Sequence, residues 1–123
     1  MKFLELNKYM PEIKELKSIE EWDNIKTGST DSELIIFKYS PYCSISASVE
    51  EDFDQWVKSL SGEPKINFIK INVISERSLS QKIASDLKIL HQSPQLIWLD
   101  KNQDIKWTAS HYKITSKELS SKL

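Results

Sequence analysis

The sequence predicts an α/β protein: a central mixed β-sheet flanked by helices, with a cysteine at a helix N-terminus. Three observations carry this. Apolar runs of strand length alternate with amphipathic runs of helical period along the 123 residues. The single cysteine, Cys43, falls between the first strong strand and the helix that follows it. A proline, Pro94, opens the third strong strand.

The elements follow in order. Residues 1–12 show no clear period and are read as a terminal extension of one domain spanning 1–123. Ile13 to Leu16 suggests a short edge strand. Ser18-Ile19-Glu20-Glu21 has the form of a capping box, with Ser18 capping and Glu21 reaching back. Ile19, Trp22 and Ile25 then share one helical face, and Gly28 is the expected C-cap. Leu34 to Tyr39 begins with four consecutive apolar residues, which suits a central strand covered on both faces. The helix after Cys43 carries Ile45, Val49, Phe53, Val57 and Leu60 on one side, and Ser61-Gly62-Glu63-Pro64 stops it. Lys65 to Val73 reads as a strand. Ser78-Leu79-Ser80-Gln81 opens a helix that turns Leu79, Ile83, Leu87 and Leu90 inward. Pro94 to Leu99 is a strand, 100–104 a polar turn, and Ile105, Trp107 and Ala109 alternate with polar residues in a hairpin partner. Thr115-Ser116-Lys117-Glu118 caps a closing helix. Parallel strands joined by a right-handed crossover, then a hairpin and a helix, form the thioredoxin-like arrangement.

Composition narrows the function classes. The 17 basic and 18 acidic residues leave a net charge of −1, which favours neither nucleic acid nor an anionic membrane as partner. The four Trp do not interleave with a basic stripe. No apolar run approaches spanning length, and the opening lacks a signal-peptide core, so a reducing cytoplasm is the expected location. A lone cysteine cannot form an internal disulfide.

The chemistry centres on Cys43. A thiol in the first turn of a helix faces unpaired N–H groups and the positive end of the dipole, and both favour the nucleophilic thiolate. The alternative is a buried cysteine acting as a small hydrophobe. Pro41 stiffens the approach through its fixed φ. Lys38, in the strand leading in, either turns towards the site, where its charge favours the thiolate further, or is solvated near the strand end. Ser46 stands where a two-cysteine motif would carry the resolving thiol. Ser93-Pro94 is expected to be cis in this fold, turning backbone groups outward to pair with an extended ligand; the alternative is a trans proline opening an edge strand. His91 and His111 either supply a proton to a leaving thiolate or make loop hydrogen bonds. Their spacing with Cys43 matches no zinc motif, so no metal is expected. Glu50-Glu51-Asp52 and Asp54 read as a solvated acidic helix face.

Phe37-Lys38-Tyr39-Ser40-Pro41-Tyr42-Cys43-Ser44-Ile45-Ser46-Ala47 resembles the active-site segment of the monothiol bacilliredoxins, the YtxJ-type proteins. His91-Gln92-Ser93-Pro94-Gln95 resembles their proline segment, and Trp107 to Thr115 their C-terminal signature. The resemblance implies a glutaredoxin-like thiol–disulfide oxidoreductase that removes bacillithiol from S-thiolated proteins. Cys43 would attack, and Pro94 with Ser93 would line the ligand groove; Lys38, Pro41, Tyr42, Ser44 and Ser46, near the cysteine in sequence, are the further candidates for contact with the thiol. It implies no bound cofactor, bacillithiol or another low-molecular-weight thiol as co-substrate, and a separate reductase or second thiol for regeneration. Ser44 departs from the family, which has proline there; this bears on which thiol is used. A glutaredoxin-like enzyme serving another thiol, a binding module without turnover and an iron–sulfur scaffold are the alternatives.

Overall fold

The computed structural model describes residues 11–28, 31–61 and 65–123. The chain forms β1 (Ile13–Glu15), α1 (Ile19–Thr27), β2 (Glu33–Tyr39), α2 (Ser44–Ser59), β3 (Ile66–Asn72), α3 (Arg77–Leu87), β4 (Gln95–Leu99), β5 (Ile105–Ser110), a 3-10 turn (His111–Lys113) and α4 (Ser116–Ser121). The strands make one sheet in the order β1-β3-β2-β4-β5. β1 and β2 flank β3 in parallel, β4 runs antiparallel to β2, and β5 antiparallel to β4. This is the expected mixed sheet. Residues 1–10 of the expected terminal extension, and Gly62 to Pro64 of the expected helix stop, lie outside the described residues.

Two apolar cores sit on the two faces. Ile35 and Phe37 of β2 pack with Val49, Phe53, Trp56 and Val57 of α2, and with Ile114 and Leu119. Ile36 packs on the opposite face with Trp22 of α1 and with Leu79 and Ile83 of α3. Strand side chains alternate between faces, so a central strand covered on both sides must be apolar continuously. That explains the run Leu34 to Phe37. Phe37 and Phe53 stack at 4.7 Å between ring centroids.

Several boundaries differ from the expectations. Ser18 Oγ accepts from the Glu21 N–H at 3.1 Å, but the Glu21 carboxylate accepts from the Lys17 N–H at 3.0 Å and the Ser18 hydroxyl at 3.4 Å rather than from the Ser18 backbone N–H. Gly28 is the C-cap of α1, as expected, but in an extended conformation (φ −72°) rather than a left-handed one. Glycine fits there because a Cβ would lie 3.1 Å from the Asn24 carbonyl oxygen. α3 starts at Arg77, ahead of Ser78, and its N-cap Glu76 makes no side-chain capping bond. The Asn72 side chain sets the entry by accepting the N–H groups of Ile74 and Ser75. Leu90 is not inward: it is 81% exposed, because α3 ends at Leu87 and Lys88 takes a left-handed conformation (φ 54°). Trp56 joins the core although the apolar stripe of α2 did not include it. The acidic face of α2 is only partly solvated: Glu50 and Asp54 grip the Lys70 ammonium at 2.8 and 2.6 Å. Burial opposes that charge, but bonds from Asp54 and Glu50 outweigh it and raise the Lys70 pKa.

Candidate active site

β2 delivers the chain to the Ser40–Cys43 turn. The turn is closed by its own groups: Cys43 N–H donates to the Ser40 carbonyl at 3.4 Å, and Tyr42 N–H to Ser40 Oγ at 3.3 Å. Ser46 Oγ then accepts the Ser40 N–H at 2.9 Å, tying the start of the turn to α2. Cys43 is the N-cap of this 16-residue helix, with extended backbone (φ −111°, ψ 123°). Its carbonyl accepts the first helical bond, from Ala47 N–H at 3.0 Å. No side chain caps the helix and no acidic residue lies in its first turn. The half-buried Cys43 thus stands at the N-terminus of the helix, the positive end of its dipole, where the first amides lack helical partners.

The β2–β4 register pairs Lys38 with Gln95. Continuing that ladder brings Pro94 and Ser93 to the same end of the sheet as Cys43. The Ser93–Pro94 bond is cis. The Pro94 carbonyl accepts the His111 N–H at 3.0 Å. His111 is left-handed (φ 57°), so its backbone amide meets the proline segment. Ser93 Oγ is buried without a hydrogen-bond partner among the described residues.

The remaining expected residues divide. Pro41, Tyr42 and Ser44 are exposed beside Cys43, with Tyr42 84% exposed. Ser46 is a correction: it is fully buried and holds the turn, so it does not line an open groove. Lys38 corrects both of its readings. It is neither solvated nor turned towards the helix that Cys43 caps; it shares the face of Ile36 and is fully buried. Its ammonium donates to the Ser80 carbonyl in α3 at 2.9 Å and lies 3.4 Å from His91 Nδ1. Burial lowers its pKa from 10.5 to about 8. His91, exposed at one edge, also has Ser80 Oγ at 3.3 Å from Nδ1. Burial of the ring, then the charges of Lys38 and Arg77, lower the His91 pKa. Sequence reasoning did not join Lys38, Ser80 and His91. One signal was available: a lysine two residues after Ile36 in a strand covered on both sides must point inward.

Comparison with known proteins supplies the wider frame. A family model described as monothiol bacilliredoxin BrxC matches residues 14–119. A solved structure described as 'a putative oxidoreductase with a thioredoxin fold' superposes with TM-score 0.74 at 24% identity, covering 89% of this chain and 92% of that one. The thioredoxin of Malassezia sympodialis, Mala s 13, gives 0.68 at 14% identity over 90% and 87% of the two chains. That of Trypanosoma brucei brucei gives 0.67 at 18% over 92% and 88%. At such identities the likeness is one of fold. A 56-residue stretch is 38% identical to the Caenorhabditis elegans baculoviral IAP repeat-containing protein bir-2, spanning 46% of this chain and 18% of that much longer protein. Among the described residues no helix is long and apolar enough to cross a membrane. Because the family model spans most of the chain and the fold agrees with it, the chain belongs to the monothiol bacilliredoxin family and is a thiol–disulfide oxidoreductase-like protein.

Proposed function

We propose that the chain removes bacillithiol from S-thiolated proteins through Cys43. The observation that carries this is the half-buried cysteine at the N-cap position of a 16-residue helix that has no side-chain capping bond. The Cys43 thiolate attacks the bacillithiol sulfur of a protein–bacillithiol mixed disulfide. A Cys43–bacillithiol disulfide forms as the original S–S bond breaks, and the protein thiolate leaves and takes a proton from water. No net oxidation occurs in this step. With serine at position 46 there is no internal resolving thiol. A second bacillithiol, attacking the sulfur bound to Cys43, regenerates the thiolate and leaves as bacillithiol disulfide; a separate reductase is the other route. Ser93 and Pro94 line the thiol groove, Pro41, Tyr42 and Ser44 form its outer rim, and no resident cofactor takes part. This chemistry suits a reducing compartment such as the cytoplasm.

The test is release of bacillithiol from a model mixed disulfide, with mass spectrometry of the adduct on Cys43. Cys43→Ser should abolish release and leave the far-UV circular dichroism unchanged. Release that persists in the variant would sink the mechanism. Adducts of a different cellular thiol on Cys43 would keep exchange and replace bacillithiol.

A further inference from the structure

Lys38 is enclosed with no carboxylate beside it among the described residues. Burying an unpaired charge opposes folding, so an apolar residue would serve this strand position better for packing alone. Where the ammonium points is therefore informative. It carries donors only, and it faces His91 Nδ1 at 3.4 Å while bound to the Ser80 carbonyl at 2.9 Å. Opposite an ammonium, Nδ1 can only accept, which places the ring proton on Nε2. Ser80 Oγ, at 3.3 Å from the same nitrogen, offers a second donor to it. Nε2 has no partner among the described residues, and His91 as a whole is exposed although part of its ring is desolvated.

The outward edge of His91 is then a fixed, neutral N–H donor backed by the charges of Lys38 and Arg77. The first turn of α3, from which Arg77 comes, contains no acidic residue; the nearest in sequence is the N-cap Glu76. His91 lies two residues before the cis Ser93–Pro94 pair, at the Cys43 end of the sheet. A donor in positive surroundings is suited to an anionic acceptor, and a carboxylate is the anion a small peptide-like thiol carries.

We propose that His91 is a specificity-determining residue of the small-thiol site, its Nε2–H hydrogen-bonding a carboxylate of the thiol while Lys38 and Ser80 act as positioning residues that fix the tautomer. The thiol-exchange reading above is its premise. One hydrogen bond to a charged group corresponds to about a tenfold preference for the acid.

The test separates binding from exchange. S-methyl bacillithiol, a thioether that cannot exchange, and its carboxyl methyl ester are titrated into the full chain with ¹⁵N-labelled histidine rings. The free protein should show His91 as the Nε2–H tautomer, and the acid should shift that resonance and bind about tenfold more tightly than the ester. His91→Ala should remove the preference, and His91→Gln, which retains an N–H donor of similar reach, should recover part of it. Lys38→Met should relax the tautomer and weaken the preference. Equal binding of acid and ester, no binding of either, or a preference that survives in His91→Ala overturns the proposal. Preferential binding of the acid without exchange at Cys43 would overturn the exchange reading and keep the subsite. Exchange at Cys43 without that preference would do the reverse.

Discussion

At the scale of single residues, Lys38 governs how stability responds to pH. Its folded pKa is pushed down by burial from 10.5 to about 8. Below pH 8 the lysine is charged in both states, and the folded chain bears the full cost of burial. Between the two values the unfolded chain holds the proton and the folded chain gives it up, so this group adds stability as pH rises. Lys38→Met should therefore stabilise the fold at pH 7, on the order of 2–3 kcal/mol, with the advantage fading by about pH 10. The Ser80 carbonyl, left without its ammonium, lies on the helix α3 and retains the acceptor role that a helix gives it. Urea denaturation midpoints of both proteins at pH 7 and 10 would decide; a destabilised variant at pH 7, or a gap that does not change with pH, counts against the account. Ser46 shows a different economy. It occupies the resolving position of a two-cysteine motif, and its hydroxyl instead closes the turn that presents Cys43.

The elements are defined by their ends as much as by their apolar faces. Ser18 gives α1 its first bond, to the Glu21 amide, and Thr115 does the same for α4 through Glu118. Ser18→Ala should cost about 1 kcal/mol, read from the thermal or urea transition. A loss below a few tenths would mean that Glu21, bonded to the Lys17 amide, already holds the helix start. The short α1 is also pinned from its buried side. Asp86 of α3 accepts from the Trp22 indole N–H at 2.9 Å and pairs with Lys26 and Lys82. Bonds from Lys26, then Lys82 and Trp22, hold its carboxyl well below the usual range. On the other face, Lys70 ties β3 to α2 through Glu50 and Asp54. α2 thus meets the sheet through an apolar stripe and an ion-paired edge, and the helix whose N-terminus bears Cys43 is fastened along its length.

Across the whole molecule, two cores share one sheet, and β2 contributes to both. A cavity in either should weaken the entire fold. Phe53→Ala, which removes the ring stacked on Phe37, should cost about 3–5 kcal/mol and still give a single transition. Tryptophan fluorescence and far-UV circular dichroism should lose signal together; separate transitions would show the two cores melting independently. The mixed sheet, the succession of elements and the cysteine at a helix start were legible in the sequence because they rest on local rules: period, caps, turn residues and continuous apolarity in a strand covered twice. The same rules were misapplied at α3's start, which follows a turn held by the Asn72 side chain rather than a serine cap, and they turned Leu90 inward although the chain had already left the helix at Lys88. By itself, then, the sequence determined the layered architecture and put a lone cysteine at the start of a helix. Only the tertiary structure decided where the charges go. Lys38, His91 and Ser80 lie on three separate segments, and Lys70 lies on a different element from Glu50 and Asp54. Which polar groups meet inside is set by packing between elements, to which a periodicity along one element is blind.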